Sequence, residues 1–306
     1  MNILLSGASG QLGQELLPLL ARHGGVIQVD QAVAKGDRVT VQQDLGDLKR
    51  LELLLYRTRP DVIVNAAAYT AVDAAEDHRD TAFLLNAEMP ACLARWCARN
   101  DRLLLHYSTD YVFSGDSDRP WREQDSAGPV NVYGESKLGG EQAIAESGCR
   151  NVVLRTSWVY SGHGNNFVLT MLRLAREMPG LKIVADQVGC PTWARNLARV
   201  SSAVLDRILE VNDPAEYFGL YHYCDGGVVS WFDFAQAIFR TAHRLGLLDE
   251  VPRVEAVRST DFQQKARRPM YSVLDTTAIQ GRFGIERVGL HESLLACLEE
   301  MVIEPG

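Results

Sequence analysis

"NILLSGASGQLGQEL", residues 2–16, decides the fold of this chain. An apolar run of strand length stops at Ser6, and glycines follow at 7, 10 and 13 where a helical pattern begins. A turn this tight needs residues without a Cβ, so that backbone N–H groups approach a pyrophosphate while the helix N-terminus faces its charge. Gly-x-x-Gly-x-x-Gly alone also describes an ordinary turn. The strand before Gly7 and the helix after Gly13 make phosphate binding the better reading.

The same alternation continues outward. Strand-like "VIQVD" (26–30), "DVIVNAAA" (61–68), "RLLLHYST" (102–109) and "NVVLRTSWVY" (151–160) are separated by helical patterns at 47–58, 82–99 and about 134–147. Apolar strands alternating with helices predict an α/β fold: a Rossmann-type doubly wound parallel sheet covered on both faces. Beyond residue 160 polar loops "SGHGNN" and "ADQVGCPTW" flank a helix near 166–178. Helical patterns recur at 194–210, 230–245 and 290–302, with strand-like "GLYHYC" between the first two. The expected organisation is an NAD(P)-binding domain over 1–157, to which segments around 194–230 return. A smaller, discontinuous substrate domain over 158–306 follows, and the cleft lies between the two.

With 306 residues, 46% apolar and 23% charged, the chain can bury a large core, and its net charge of −8 with scattered basic residues argues against nucleic-acid or membrane-surface partners. Cysteines at 92, 97, 149, 190, 224 and 297 form no C-x-x-C pair and read as reduced core thiols. No apolar run reaches the ~18 residues of a membrane span, and "MNILLSGASG" has no basic leader region, so a cytoplasmic location is expected.

Asp30, ending the second strand, stands where a dinucleotide enzyme places a carboxylate on the adenosine ribose. It favours NADH, whereas Lys35 and Arg38 would answer the extra phosphate of NADPH, and the sequence leaves the two cofactors open. Asp44-Leu45 is expected to edge the adenine, and the small residues of "NAAAYTAVD" (65–73) suit a backbone passing close to a flat cofactor. Tyr133 and Lys137, at i and i+4, project from one helix face. A free phenol has a pKa near ~10, and an adjacent ammonium is expected to bring it toward the working range. In "YSTDYVF" (107–113), Thr109 ends a strand where parallel sheets bind ligands, and its hydroxyl can donate to a carbonyl oxygen. His106 reads as a packed core residue, and Lys265, Arg267 and Arg268 as either a solvated loop or a diphosphate contact.

Several segments together resemble the extended short-chain dehydrogenase/reductase family, in its branch of dTDP-sugar reductases: "MNILLSGASGQLG", "RPDVIVNAAAYTAVD", "HYSTDYVFSG", "NVYGESKLGGE", "RTSWVY", "GNNF", "DQVGCPT" and "RRPMYSVLD". The resemblance covers essentially the whole chain. It implies a catalytic set of Thr109, Tyr133 and Lys137, with Thr109, Asp110 and Trp158 on the dTDP-sugar. It also implies cofactor contacts at Gly10, Gln11, Leu12, Asp30, Asp44, Leu45, Ala68, Tyr69, Thr70 and Tyr107, shared with Tyr133 and Lys137. The implied reaction is reduction of the C4 ketone of dTDP-4-dehydro-β-L-rhamnose by hydride from NADPH or NADH.

A homodimer is open on this reading, but not one bridged by magnesium. Some relatives hold Mg²⁺ between subunits through three glutamates, and the matching positions here are Glu15, Arg195 and Glu300. A guanidinium cannot supply the oxygen donors Mg²⁺ takes. Two rivals stand beside the reductase. An epimerase or dehydratase would recycle bound NAD⁺, but such dehydratases place Asp-Glu after the threonine, where this chain has Asp110-Tyr111. A non-catalytic NADP-binding regulatory subunit, such as the β subunit of methionine adenosyltransferase, shares the fold; the joint presence of Thr109, Tyr133 and Lys137 argues for catalysis instead.

Overall fold

A computed structural model describes residues 1–31 and 41–303, so Lys35 and Arg38 lie outside the described residues. Strands β1 (Asn2–Ser6), β2 (Gly25–Asp30), β3 (Val41–Gln42), β4 (Val62–Asn65), β5 (Leu103–Thr109) and β6 (Arg150–Thr156) alternate with helices α1 (Gln11–Leu20), α2 (Leu48–Thr58), α3 (Val72–Ala75), α4 (Arg79–Phe83), α5 (Met89–Asn100) and α6 (Val132–Ser147). The second half contains β7 (Val159–Tyr160), α7 (Phe167–Glu177), β8 (Gly180–Val184), β9 (Val188–Gly189), β10 (Thr192–Trp193), α8 (Ala194–Glu210), β11 (Gly219–His222), β12 (Val229–Ser230), α9 (Trp231–Arg244), β13 (Arg253–Val257), α10 (Thr277–Phe283) and α11 (Leu290–Ile303).

The doubly wound parallel sheet is present. Seven strands run in the order β11-β6-β5-β4-β1-β2-β3, every neighbouring pair parallel. The winding reverses between β1 and β4, which opens a crevice at the carboxyl ends of those strands. Alternate residues of each strand feed opposite cores. Ile3, Leu5, Val64 and Leu105 pack with Leu16 and Leu20 of α1 and Leu197 and Leu205 of α8. Leu4, Ile63 and Leu104 pack with Leu51 and Leu55 of α2, Leu93 and Cys97 of α5, and Ile144 of α6. Residues 194–222 thus complete the first sheet and one of its covering layers. A further core gathers α7, α9 and α11 around Tyr160, Trp193, Phe234 and Leu294.

Helix α6 sits unusually close to its neighbours. A Cβ at Gly134 would collide with the Tyr111 carbonyl oxygen, and one at Gly140 with that of Asn86. The helix starts where the Asn131 side chain accepts from the Gly134 N–H at 2.8 Å. Further along, Glu141 and Arg155 are both more than nine-tenths buried and pair bidentately at 2.6 and 2.9 Å, and Ser108 donates to the same carboxylate. This pair ties α6 to the ends of β5 and β6.

Breaking a buried pair strands its other charge, at a cost of about 3–5 kcal/mol. Arg155→Leu is therefore expected to lose about that much in urea denaturation, while Arg173→Ala, on an exposed helix pair, changes stability by less than about 0.5 kcal/mol.

Candidate active site

The phosphate turn is built as its glycines require. Gly7 has φ +72° and lies so close to β4 that a Cβ would stand 2.7 Å from the Ala67 nitrogen. Its N–H donates to Val29 O at 3.0 Å, and the Gly10 N–H donates to Gly7 O at 3.1 Å. Gly10 is the N-cap of α1, and no side chain among the described residues caps that end. The first-turn N–H groups therefore point into the crevice, as an anion site needs. Asp30 stands beside them, accepting from the Ser9 N–H at 3.0 Å.

A cleft of about 590 Å³ opens here, walled by the turn, Asp44 and Leu45, Ala66–Ala68 and Thr70, the end of β5, α6, and residues 156–159 with Gly164 and Asn165. It brings together Gly7, Gly10, Gln11, Leu12, Asp30, Asp44, Leu45, Ala68, Thr70, Tyr107, Thr109, Asp110, Tyr133, Lys137 and Trp158. Two expected residues are not on its wall. Gly13 lies one layer behind, where a Cβ would strike Gly7 O. Tyr69 packs its ring beside Tyr133 and Phe83, and its backbone N–H and C=O are held by the Asn86 amide at 2.8 and 3.0 Å. A second, more open hollow at residues 116–126 lies apart from the crevice, and its Arg119 is spent on Asp125.

Burial governs the ionisable groups of the cleft. Tyr133 is pushed up to about 12 by burial, against which a hydrogen bond with Thr109 works, so the phenol keeps its proton at neutral pH. The expected lowering by Lys137 is absent because the ammonium is engaged elsewhere: Lys137 Nζ donates to Tyr107 O at 2.6 Å and lies 3.4 Å from His106 Nε2. Burial brings Lys137 down to about 8, with Glu141 opposing. Asp110, only 2% exposed, is raised by burial to about 7. One of its oxygens accepts from Thr109 Oγ1 at 3.0 Å. The Thr156 hydroxyl has no partner among the described residues and lines the cleft, while the Ser272 hydroxyl approaches the Asp110 carboxyl. Buried polar atoms left unmatched on a cleft wall mark places where a ligand supplies the missing partner.

On the opposite wall Trp158 is held in the left-handed region (φ +47°) and lies flat on Trp231, ring centroids 3.4 Å apart and planes 4° from parallel. A Cβ at Gly189 would reach its indole at 2.5 Å. Gln11 is gripped from the same side: its side chain meets Val159 O, Ser161 Oγ and Asn166 Nδ2 at 3.3–3.4 Å, and His163 Nε2 donates to its carbonyl at 3.2 Å. The second half of the chain is thereby fastened to the phosphate turn.

Arg195 donates to Glu15 at 2.7 Å and also to Glu300. Both carboxylates are spent on the guanidinium, so this set does not fit Mg²⁺. Lys265 and Arg268 pair with Asp77 and Asp73, which makes them ties between the 265–268 segment and α3 with the turn that follows it. Sequence reasoning passed over Asn86. It lies in a π turn (Leu84–Glu88) running into α5 and joins Tyr69 to Ser136 of α6 at 3.0 Å. The available signal was a polar residue inside an apolar helical stripe.

The sequence model of the RmlD substrate binding domain family matches residues 1–303. The chain is similar to the dTDP-4-dehydrorhamnose reductase of Shigella flexneri, 43% identical over 288 residues that make up 93% of each chain. It is also similar to that of Burkholderia thailandensis, 40% identical over 306 residues and 99% of each. Among solved structures, the dTDP-4-dehydrorhamnose reductase from Clostridium acetobutylicum superposes with a TM-score of 0.88 at 34% identity, covering 99% of this chain and 100% of that one. The one from Bacillus anthracis, in complex with NADP, gives 0.85 at 31% identity, covering 98% and 99%.

The raised Asp110 carboxyl carries a stability prediction. Its folded value, about 7, lies above the ordinary 3.8, so the folded state holds this proton longer and stability is lost as pH rises through that window. Asp110→Asn stays neutral throughout. Its melting temperature relative to the parent is expected to climb by several degrees between about pH 4 and pH 7 and then level off.

Proposed function

The chain belongs to the RmlD substrate binding domain family, and from that premise we propose that it reduces the C4 ketone of dTDP-4-dehydro-β-L-rhamnose to dTDP-β-L-rhamnose. It is an NAD(P)H-dependent oxidoreductase of dTDP-rhamnose biosynthesis. The observation that carries this reading is convergence: Thr109, Tyr133 and Lys137 meet on the same cleft as an uncapped helix N-terminus behind a glycine turn.

The residues present suit a nicotinamide dinucleotide. The turn and the α1 N-terminus take the pyrophosphate, Asp30 faces the adenosine ribose, and Asp44 with Leu45 borders the adenine. When bound, the cofactor supplies hydride to C4. The chain's own part is the proton. Tyr133 donates a hydrogen bond to the ketone oxygen, joined by Thr109 as its hydroxyl turns from Asp110, and as C4 gains hydride the oxygen takes the Tyr133 proton and becomes a hydroxyl. A phenol held near 12 is the acid that a reduction needs, because it stays protonated until an alkoxide claims its proton. Lys137 steadies the phenolate that remains. Asp110 and Trp158 hold the sugar, one by hydrogen bonding and the other by its fixed indole face.

We assign the cofactor to the body formed by residues before 157 together with 194–223, and the sugar nucleotide chiefly to the α7–α9–α11 body. All six cysteines are buried free thiols, which supports a reducing, cytoplasmic setting. Among the described residues no helix is long and apolar enough to cross a membrane.

Purified protein with dTDP-4-dehydro-L-rhamnose is expected to consume the absorbance of NADPH or NADH; loss of neither overturns the reading. Tyr133→Phe should lower kcat by about 10²–10⁴-fold with cofactor affinity retained, measured by fluorescence titration. In the parent, kcat should fall as pH rises through about 8, where Lys137 gives up its charge.

A further inference from the structure

Three buried polar side chains form a row across neighbouring strands near the carboxyl edge of the sheet. Ser6 of β1, Asn65 of β4 and His106 of β5 are register partners, Ser6 opposite Asn65 and Asn65 opposite His106, so they share one face. Their exposures are 0%, 1% and 0%, and the residues before them are Leu5, Val64 and Leu105, all fully buried. The side chains form a chain. Ser6 Oγ donates to Asn65 Oδ1 at 2.6 Å, Asn65 Nδ2 faces His106 Nδ1 at 2.9 Å, and His106 Nε2 is 3.4 Å from Lys137 Nζ.

Polar groups placed this deep cost free energy unless each finds a partner. Here the row is continuous because it ends on Lys137. Burial holds His106 well below its ordinary value, with the Lys137 charge acting in the same direction, so the ring is neutral. A neutral imidazole has one N–H and one lone pair, whereas an ammonium offers donors only. Nε2 therefore accepts from Lys137 and the ring proton sits on Nδ1. A half-turn of the Asn65 amide exchanges its oxygen and nitrogen, presenting the oxygen to that N–H and the NH₂ to Ser6 Oγ.

We infer that His106, held in one tautomer by the Lys137 ammonium with Asn65 and Ser6 completing the row, is a positioning residue for proton transfer: its Nε2 lone pair and the Tyr107 carbonyl fix the Lys137 ammonium on the cleft wall it shares with Tyr133. The inference rests on the assignment of Lys137 to the reductase site. Around Lys137 the other charged or titratable groups are Tyr133 and Glu141 on α6 and Tyr107 on β5, with Glu141 neutralised by Arg155 of β6.

Two measurements test it. In pH profiles of kcat, His106→Phe is expected to fall about tenfold, part of the ~10² that proton transfer contributes, and to move its alkaline limb to lower pH with the KM for the sugar nucleotide unchanged. His106→Gln keeps an acceptor and should recover most of the rate and the limb. A Phe variant that retains the parental limb overturns the inference, whatever its melting temperature. The second measurement needs neither turnover nor a variant of His106. NMR of protein carrying ¹⁵N-labelled histidine should show His106 protonated on Nδ1 and bare on Nε2 at neutral pH, with the Nε2 signal shifting in Lys137→Ala. A proton on Nε2, or no response to Lys137→Ala, refutes it. An enzyme that failed to reduce the keto sugar but showed this tautomer would sink the functional reading alone.

Discussion

The structure depends on how closely α6 lies against the end of β5. Two glycines permit it, Gly134 under the Tyr111 carbonyl and Gly140 under that of Asn86, and a single Cβ at either place would push the helix away. The 2.6 Å bond from Lys137 to Tyr107 O needs that proximity. So do the bidentate pairing of Glu141 with Arg155 and the bond from Asn86 to Ser136. Hydrogen bonds lose their strength over a few tenths of an ångström, so the seating of this helix sets the geometry of the proposed proton-transfer site.

The same burial determines the chemistry. Three ionisable groups share the cleft wall, and desolvation drives each toward its neutral form: Tyr133 up to about 12, Asp110 up to about 7 and Lys137 down to about 8. A sequence argument from adjacency expects the lysine to pull the phenol down. In the folded chain burial dominates, and Lys137 spends its protons on Tyr107 O and His106 rather than on the phenol. The outcome suits a reduction, which asks the tyrosine to hold a proton and then surrender it to an alkoxide.

Much of the fold was legible in the sequence because it is written locally. Apolar runs of strand length, helical periodicity and the glycines after Ser6 each report on their own few residues, and the parallel sheet follows from their alternation. The pattern at 194–210 matches α8 (Ala194–Glu210). What stayed hidden arises only when distant segments meet. His106 was read as a packed core residue, which it is, but nothing in its neighbourhood of sequence shows that Asn65 and Lys137 flank it. The π turn that lets Asn86 reach both Tyr69 and Ser136 has no propensity signature. Arg195 suggested a lost metal ligand, and only the fold shows it bonding both Glu15 and Glu300.

The central claim is that this cleft delivers a hydride and a proton to one carbonyl with net consumption of the cofactor. The direct measurement is turnover of dTDP-4-dehydro-L-rhamnose with nicotinamide cofactor deuterated at its transferable position, followed by NMR of the product. The account predicts deuterium at C4 of dTDP-L-rhamnose and one cofactor oxidised per sugar formed. A product without deuterium at C4, or turnover with no net cofactor oxidation, would contradict it.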